Sequence, residues 1–350
     1  MNVLFLYSEV AGYFLSAAKM LVTRHHYKVH IVTRPPNPEA PYDFPQEDGI
    51  VFYGRKEMDT QKIMALYTQL NPVLVYISGW NDKQYLQAAR KIRKDKVPVI
   101  CSCDNPWRGD LRQYLAGIFL RRFLHKRFSH ILIAGMYQYP LASHLGFKRK
   151  QVLTGMNTAD LSVFHKAYHD YRGEKEKKYP HNFLYVGRFV EIKGLQELVS
   201  AFVELQREKD HDWTLTLVGA GHLKESLTGH PNVFIKDFVQ PQHLGTLAQD
   251  AGCFILPSRI EPWGVVIHEF CGAGLPLVTS NICGASTAFV RPGHNGFMHE
   301  PNEVAAIKEV LWKVIRTPDT ELLEMGDRSH LLSYHFSPES WASNLLNLQE

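Results

Sequence analysis

Runs of three to six consecutive apolar residues recur along this chain and alternate with segments of helix length. Val3–Tyr7, Val29–Thr33, Val73–Ile77, Val97–Ser102 and His130–Ala134 are the runs of the first half. The second half repeats the rhythm with Phe183–Val186, Leu215–Val218, Val233–Ile235, Cys253–Leu256 and Leu277–Thr279. A strand apolar on both sides has both faces covered, which is the habit of parallel strands and not of a half-solvated meander. Parallel neighbours need a crossover, and helix-length segments such as Ala17–Thr23, 194–209 and the stretch after Pro262 supply it.

The 350 residues, at about 100–200 per domain, predict two domains. The fold class expected is α/β, with two Rossmann-like doubly wound domains facing each other across a cleft. Boundaries are expected at 1–165 for the first domain and 181–335 for the second. The charged stretch 166–180 reads as a linker, and 336–350 as a terminal helix with the option of crossing back to the first domain. Ligands of such sheets gather at the carboxyl ends of the strands. The turns after Val186, Val218 and Leu256 are therefore the ones to inspect.

Hydrophobic residues at 45% and charged residues at 21% exclude a disordered or low-complexity chain. No stretch reaches the roughly 18 uninterrupted apolar residues of a membrane span. MNVLFLYSEVAGYF lacks a basic leader and reads as a first buried strand. Five cysteines in such a length suggest reduced thiols and a cytoplasmic location. Charge is uneven: up to Lys166 there are 23 basic and 12 acidic residues, and beyond it 16 and 23. The first half is therefore expected to meet an anionic partner.

Three clusters carry chemistry. In Gly187-Arg188-Phe189-Val190-Glu191-Ile192-Lys193-Gly194, two cations flank a helix start, which suits a diphosphate; a surface turn with two solvated cations is the alternative. Leu217-Val218-Gly219-Ala220-Gly221 is a Gly-x-Gly turn, and Lys224 where a dehydrogenase fingerprint has its third glycine disfavours a nicotinamide site. In Pro257–Glu269, Glu261-Pro262 reads as a helix start, and Gly264 bares backbone N–H groups for a second anion site. Two helical acids eight residues apart would be separated by about 12 Å of rise, too far for the carboxylate pair of a retaining glycosidase. Glu261 and Glu269 are thus read as contacting different parts of one long ligand.

The series G-R-x(4)-K-G, L-V-G-x-G, E-P-x-G with E-x(7)-E, and G-x-P-L-V resembles the retaining glycosyltransferases of family 4, which have the GT-B fold. Here the pieces are Gly187–Gly194, Leu217–Gly221, Glu261–Gly264 with Glu269, and Gly274–Val278. The resemblance covers 180–300 and is loose in the first half. It implies transfer of a sugar from a nucleotide diphospho-sugar with retention of configuration, without a cofactor or metal. It implies that Arg188 and Lys193 neutralise the donor diphosphate, Glu261 contacts the sugar, and Glu269 holds the ribose. Gly264 and Val265 would meet sugar and phosphate, and Phe238 and Val239 the base. Gly187 and Gly219 would line the donor, as would Gly12 in the loop Glu9–Tyr13. Asp104 falls where the family commonly carries histidine, and Asn157 where Gly-Val-Asp is usual.

The helix expected over 111–128 mixes apolar residues with Arg112, Arg121, Arg122, Lys126 and Arg127. Such a basic helix suits an anionic membrane surface; a core-facing helix with a solvated basic face is the alternative. The acceptor implied is a glycan of bacterial surface polysaccharide synthesis (O-antigen or capsule), lipid-linked, with the enzyme peripheral on the inner face of the membrane. A soluble acceptor, a nucleotide-sugar epimerase and an inactive sugar-nucleotide binder are the other readings. Nucleic acid is not expected, for no binding motif accompanies the charge. Asp210-His211-Asp212 is discounted as a metal triplet because it precedes its strand. Cys101-x-Cys103 is discounted as a metal or redox pair, with its side chains expected on opposite strand faces.

Overall fold

A computed structural model describes residues 1–10, 12–35 and 47–349. The chain divides into two compact units, Met1–Asp160 with Phe336–Glu350, and Leu161–His335. Each is a parallel sheet wrapped by helices, and together they are the two Rossmann-like domains of a GT-B fold.

The first domain runs β1 Asn2–Leu6, α1 Gly12–Thr23, β2 Lys28–Thr33, β3 Ile50–Gly54, α2 Thr60–Leu70, β4 Leu74–Ile77 and α3 Lys83–Ile92. It continues with β5 Val99–Cys103, α4 Leu111–His125, β6 His130–Ile133, α5 Tyr139–His144 and β7 Val152–Leu153. The sheet order is β3-β2-β1-β4-β5-β6-β7, parallel throughout. Val3, Leu4, Phe5 and Leu6 are all fully buried, as strands covered on both faces require. Aspartates start the helices: Asp59, Asp82 and Asp110 each accept backbone N–H groups of the first turn. The order reverses direction between β1 and β4, which opens a crevice at the carboxyl ends there.

The second domain runs α6 Ser162–Lys177, β8 Asn182–Val186, α7 Leu195–Glu208, β9 Thr214–Val218, β10 Val233–Lys236, β11 Cys253–Leu256 and α8 Val265–Gly272. Then come β12 Leu277–Ser280, α9 Ser286–Phe289, β13 Gly296–His299, α10 Val304–Arg316 and α11 Asp319–Ser333. Its sheet, β10-β9-β8-β11-β12-β13, repeats the first order and reverses between β8 and β11. α7 buries Leu195, Leu198, Val199, Phe202 and Leu205, one stripe at helical spacing. The last helix, α12 Pro338–Leu346, belongs to the first domain. There Trp341 stacks on Phe5 at 6.1 Å and meets Phe14 edge-on at 6.0 Å.

Three expectations need correction. The stretch 166–180 is not a linker up to Lys177: it is most of α6, and the units divide between Asp160 and Leu161. α6 has little apolar period because polar contacts anchor it. Lys175 is buried and donates to the Ala251 carbonyl at 2.8 Å, while Tyr168 and Arg172 donate to Asp327. Pro262 does not start a helix, since α8 begins at Val265 behind Gly264. Cys101 and Cys103 share one face, as residues two apart on a strand must, and enter the same core with Val75 and Ile131. All five cysteines are free and buried, and burial pushes the Cys103 thiol up to about 12.

Histidines give the second domain a defined acid limit. Burial pulls His268 down to about 4, although its ring nitrogen Nε2 meets the Ser333 carbonyl at 2.8 Å. Burial, with His330 and His169 nearby, pulls His165 down to about 4 as well. The unfolded chain takes up these protons near 6.5 and the folded domain only near 4. Between those values the unfolded state binds more protons, so stability falls as pH falls through that window. Calorimetry from pH 6.5 to 4 should show the second domain's melting temperature declining. His268→Gln should decline less steeply, and equal slopes would count against this account.

Candidate functional site

Loops at the carboxyl ends of β8, β9 and β11 build the second domain's site. After β8, residues 187–190 lead into a single turn, Glu191–Lys193, and then α7. Backbone bonds tie this loop to the one after β9: Gly187 N–H donates to Val218 O at 3.0 Å, and Phe189 N–H to Ala220 O at 2.8 Å. At Gly219 a Cβ would stand 1.9 Å from the Gly187 carbonyl oxygen. The Gly-x-Gly turn is therefore first a requirement of loop packing. Gly194, at φ +68°, plays the same part toward the loop after β11, where a Cβ would stand 2.4 Å from Pro257 O. That third loop is held by Arg259 N–H donating to Ile192 O at 2.8 Å and by Gly284 N–H donating to Glu261 O at 3.2 Å.

These ties bring the expected side chains together. Lys193 Nζ donates to Glu261 Oε2, and Ser258 Oγ reaches the same oxygen at 3.4 Å. The pair is largely buried, with side chains 15% and 11% exposed. Beside it Arg259 pairs with Glu197. Arg188 is exposed, and its backbone is pinned by the Tyr185 hydroxyl, which donates to Arg188 O at 2.9 Å. Burial, with the Glu261 charge adding, pushes the Tyr185 phenol well above its ordinary range. Sequence reasoning did not single out Tyr185; an aromatic with a hydroxyl two residues before the glycine is its only signal.

Gly264 sits at the head of α8 with φ +90°, followed by half-buried Val265. Glu269 lies half-buried in the second turn of α8, whereas Glu261 stands outside the helix. The two acids are thus separated by a change of direction as well as by sequence. Past β10, Phe238 is 63% exposed and Val239 half-buried. Asp237 beside them pairs with Lys224 at 2.6 Å.

Asp104 and Gly12 are residues of the first domain. Gly12 opens α1; Ala11, within the expected loop Glu9–Tyr13, lies outside the described residues. Asp104 is exposed at the rim of a cavity of about 270 Å³, at the sheet's own reversal point, with Tyr13, Ser78, Trp80 and Asn157 in its wall. The Asp104 carbonyl accepts from Gln138 Nε2 at 3.2 Å, which orients the loop. Burial and then the Asp104 charge raise the Tyr13 phenol. Ser8 N–H donates to Ser78 Oγ at 2.7 Å, so two strand-end loops meet here too.

The Asp210–Asp212 triplet precedes β9, where Asp212 contacts His181 at 2.6 Å. Among the described residues no three His, Cys, Asp or Glu side chains cluster as metal ligands would. α4 is not the core-facing helix of the alternative reading. It fully buries only Gly117 and Leu124, and it presents Leu111, Leu115, Ile118 and Phe119 to solvent. Arg112, Arg121, Arg122 and Lys126 are exposed with them, while half-buried Arg127 lies 3.6 Å over the Phe123 ring. Among the described residues no helix is long and apolar enough to cross a membrane.

Residues 169–328 match the family described as glycosyl transferases group 1. The match lies within the second domain. Among curated relatives, glycogen synthase of Mycobacterium tuberculosis is 34% identical over 40% of this chain and 35% of its own. The capsular polysaccharide biosynthesis glycosyltransferase CapM of Staphylococcus aureus is 29% identical over 50% of this chain and 48% of its own. The chain thus spans about half or less of the length of these curated relatives. Among solved structures, Anabaena HepE in complex with UDP superposes with a TM-score of 0.74 at 14% identity, over 99% of both chains. Sucrose-phosphate synthase of Thermosynechococcus elongatus gives 0.72 at 15%, over 99% of this chain and 97% of its own. At such identities the likeness is one of fold.

Gly219→Ala should force the β8 and β9 loops apart and cost about 2 kcal/mol, the scale of overpacking. Gly173→Ala, where a Cβ meets nothing within 4 Å, should leave stability unchanged or slightly raised. Calorimetry of the two variants checks the contrast, and equal melting temperatures would sink it.

Proposed function

We propose that the chain is a retaining, metal-independent glycosyltransferase that moves a sugar from a nucleotide diphospho-sugar to a glycan acceptor. The observation that carries this reading is the Lys193–Glu261 pair at the reversal point of the second sheet, beside the Arg188 loop and the head of α8. Both recorded contacts of the Glu261 carboxylate fall on Oε2, which leaves Oε1 to accept a sugar hydroxyl. Glu261 also holds the lysine in place, which preorganises its ammonium for a diphosphate oxygen. Arg188 supplies a second cation from solvent, and the first N–H groups of α8 supply partial positive charge. Exposed Phe238 offers a face to the base, and Glu269 accepts from the ribose. UDP is named with HepE, which supports a uridine donor as the first to try.

The reaction is written as a front-face displacement. The acceptor hydroxyl oxygen bonds to the anomeric carbon as the bond to the β-phosphate oxygen breaks. The acceptor proton passes to the departing diphosphate. Arg188 and Lys193 stabilise charge that grows on that diphosphate, where preorganised cations act most strongly. In the first domain, Asp104 orients an acceptor or donor hydroxyl. The name of CapM supports an acceptor in bacterial surface polysaccharide synthesis, and the exposed apolar and basic faces of α4 support a lipid-linked one. The likeness to glycogen synthase favours, as a second reading, a soluble glucan acceptor.

A melting screen against UDP, GDP, ADP and their sugar conjugates, with and without EDTA, should single out one nucleotide regardless of EDTA. Saturation at about 100 times Kd is worth about 2.7 kcal/mol. Arg188→Ala and Lys193→Ala should each lower turnover by about 10²-fold or more. Wild-type turnover in both variants would remove these residues from catalysis. For the membrane, flotation with anionic vesicles should carry the wild type and leave Ile118→Asp/Phe119→Asp behind; equal flotation would assign α4 another role.

A further inference from the structure

The first domain carries a second large cavity, at the amino edge of its sheet and so at the opposite strand ends from Asp104. It encloses about 680 Å³ between the residues leading into β5, β6 and β7. Arg93, Arg121, Lys148 and Lys150 line it together with His125 and His130, and no acidic residue does. Among the described residues none of the four permanent cations forms an ion pair.

Two details mark this as a built arrangement. Arg93 Nε and His125 Nε2 are buried with no hydrogen-bond partner among the described residues. A buried donor left unmatched costs about 1–3 kcal/mol, and anion oxygens are acceptors that would offset it. Arg121 lies flat across Gly146, where a Cβ would stand 2.4 Å from its Nε. Gly146, at φ +91°, thus gives the guanidinium its path to the cavity. Burial, and then the Arg93 charge, lower the His130 imidazole, as expected where cations crowd.

Four like charges around one space repel unless a ligand supplies the counter-charge. Arginine forks match phosphate oxygens in pairs, and lysines add point charge at the rim. We infer that this basic cavity binds a phosphate group, as a phosphomonoester or a diphosphate, independently of the donor site. The group has two available sources, a lipid headgroup or a soluble phosphate compound. α4 links the cavity to the first: its last turns supply Arg121 and His125, and its first turns expose Leu111, Leu115, Ile118 and Phe119.

The test uses inorganic pyrophosphate as the probe, in a full chain carrying Arg188→Ala/Lys193→Ala so that the donor cations do not contribute. Calorimetric titration should still show one site. Adding Arg121→Gln/Lys148→Gln should weaken it at least about tenfold, with the melting temperature unchanged because both side chains are exposed. The second arm floats wild type and Arg121→Gln/Lys148→Gln with phosphatidic acid vesicles and with phosphatidylglycerol vesicles of matched charge. Loss of the variant from phosphatidic acid alone names a phosphomonoester headgroup. Equal flotation, together with the lost pyrophosphate site, names a soluble phosphate. No pyrophosphate site in the first chain, or one indifferent to Arg121→Gln/Lys148→Gln, overturns the inference.

Discussion

The approach of two backbones, Gly187 carbonyl against Gly219, governs the carboxyl edge of the second domain's sheet. Parallel strands bring their following loops side by side but do not lock them. Here the absence of two side chains, at Gly219 and Gly194, lets three loops close to hydrogen-bonding distance. The backbones of Arg188, Lys193 and Glu261 are then fixed in place. Each is delivered by a loop whose main chain is bonded to its neighbour, and Tyr185 adds a pin from the strand beneath.

That rigidity holds Lys193 and Glu261 together as a pair that is mostly out of water. Removing ions from water is costly, and an apolar pair of the same volume would often be no less stable. Its retention at a sheet reversal point, with a second pair, Arg259 and Glu197, alongside, is better explained by what a ligand gains than by stability. Glu197 Oε2 and Arg259 Nε are both buried without hydrogen-bond partners among the described residues. The polar layer between these loops is therefore wider than the Lys193–Glu261 pair.

Much of this was legible in the residues. Runs such as Val3–Tyr7 and Cys253–Leu256 announced parallel strands because covering both faces leaves no polar alternation to misread. The order of Gly187–Gly194, Leu217–Gly221 and Glu261–Glu269 announced loops that meet, because they follow adjacent strands. α6 was not legible, since Lys175, Tyr168 and Arg172 dock it through polar atoms and leave no apolar period. β7 is only two residues long, and β13 has just Phe297 and Met298 between Gly296 and His299, so neither forms an apolar run that stands out. Glu261 was misplaced onto a helix because proline suits a first turn, whereas here Gly264 makes the turn. The outward apolar stripe of α4 was hidden because composition does not show which face packs. The amino-edge cavity was hidden too, because Arg93, Arg121 and Lys148 are distant in sequence and meet only through the sheet.

Trp341 stacks on Phe5, so the first domain's apolar layer joins residues 336 positions apart, with the whole second domain strung between them. On the ribosome, the strands of the first domain emerge early and wait. Leu161–His335 has all its own residues in hand and can consolidate while translation continues. The domain made first thus matures last, holding an uncovered aromatic face over Phe5, Phe14 and Tyr76 until α12 appears. A chain ending shortly before Pro338 would have every residue of the second unit and still lack the helix that covers the first domain's aromatic face. Such a chain is a natural client for chaperones that recognise exposed aromatic surface.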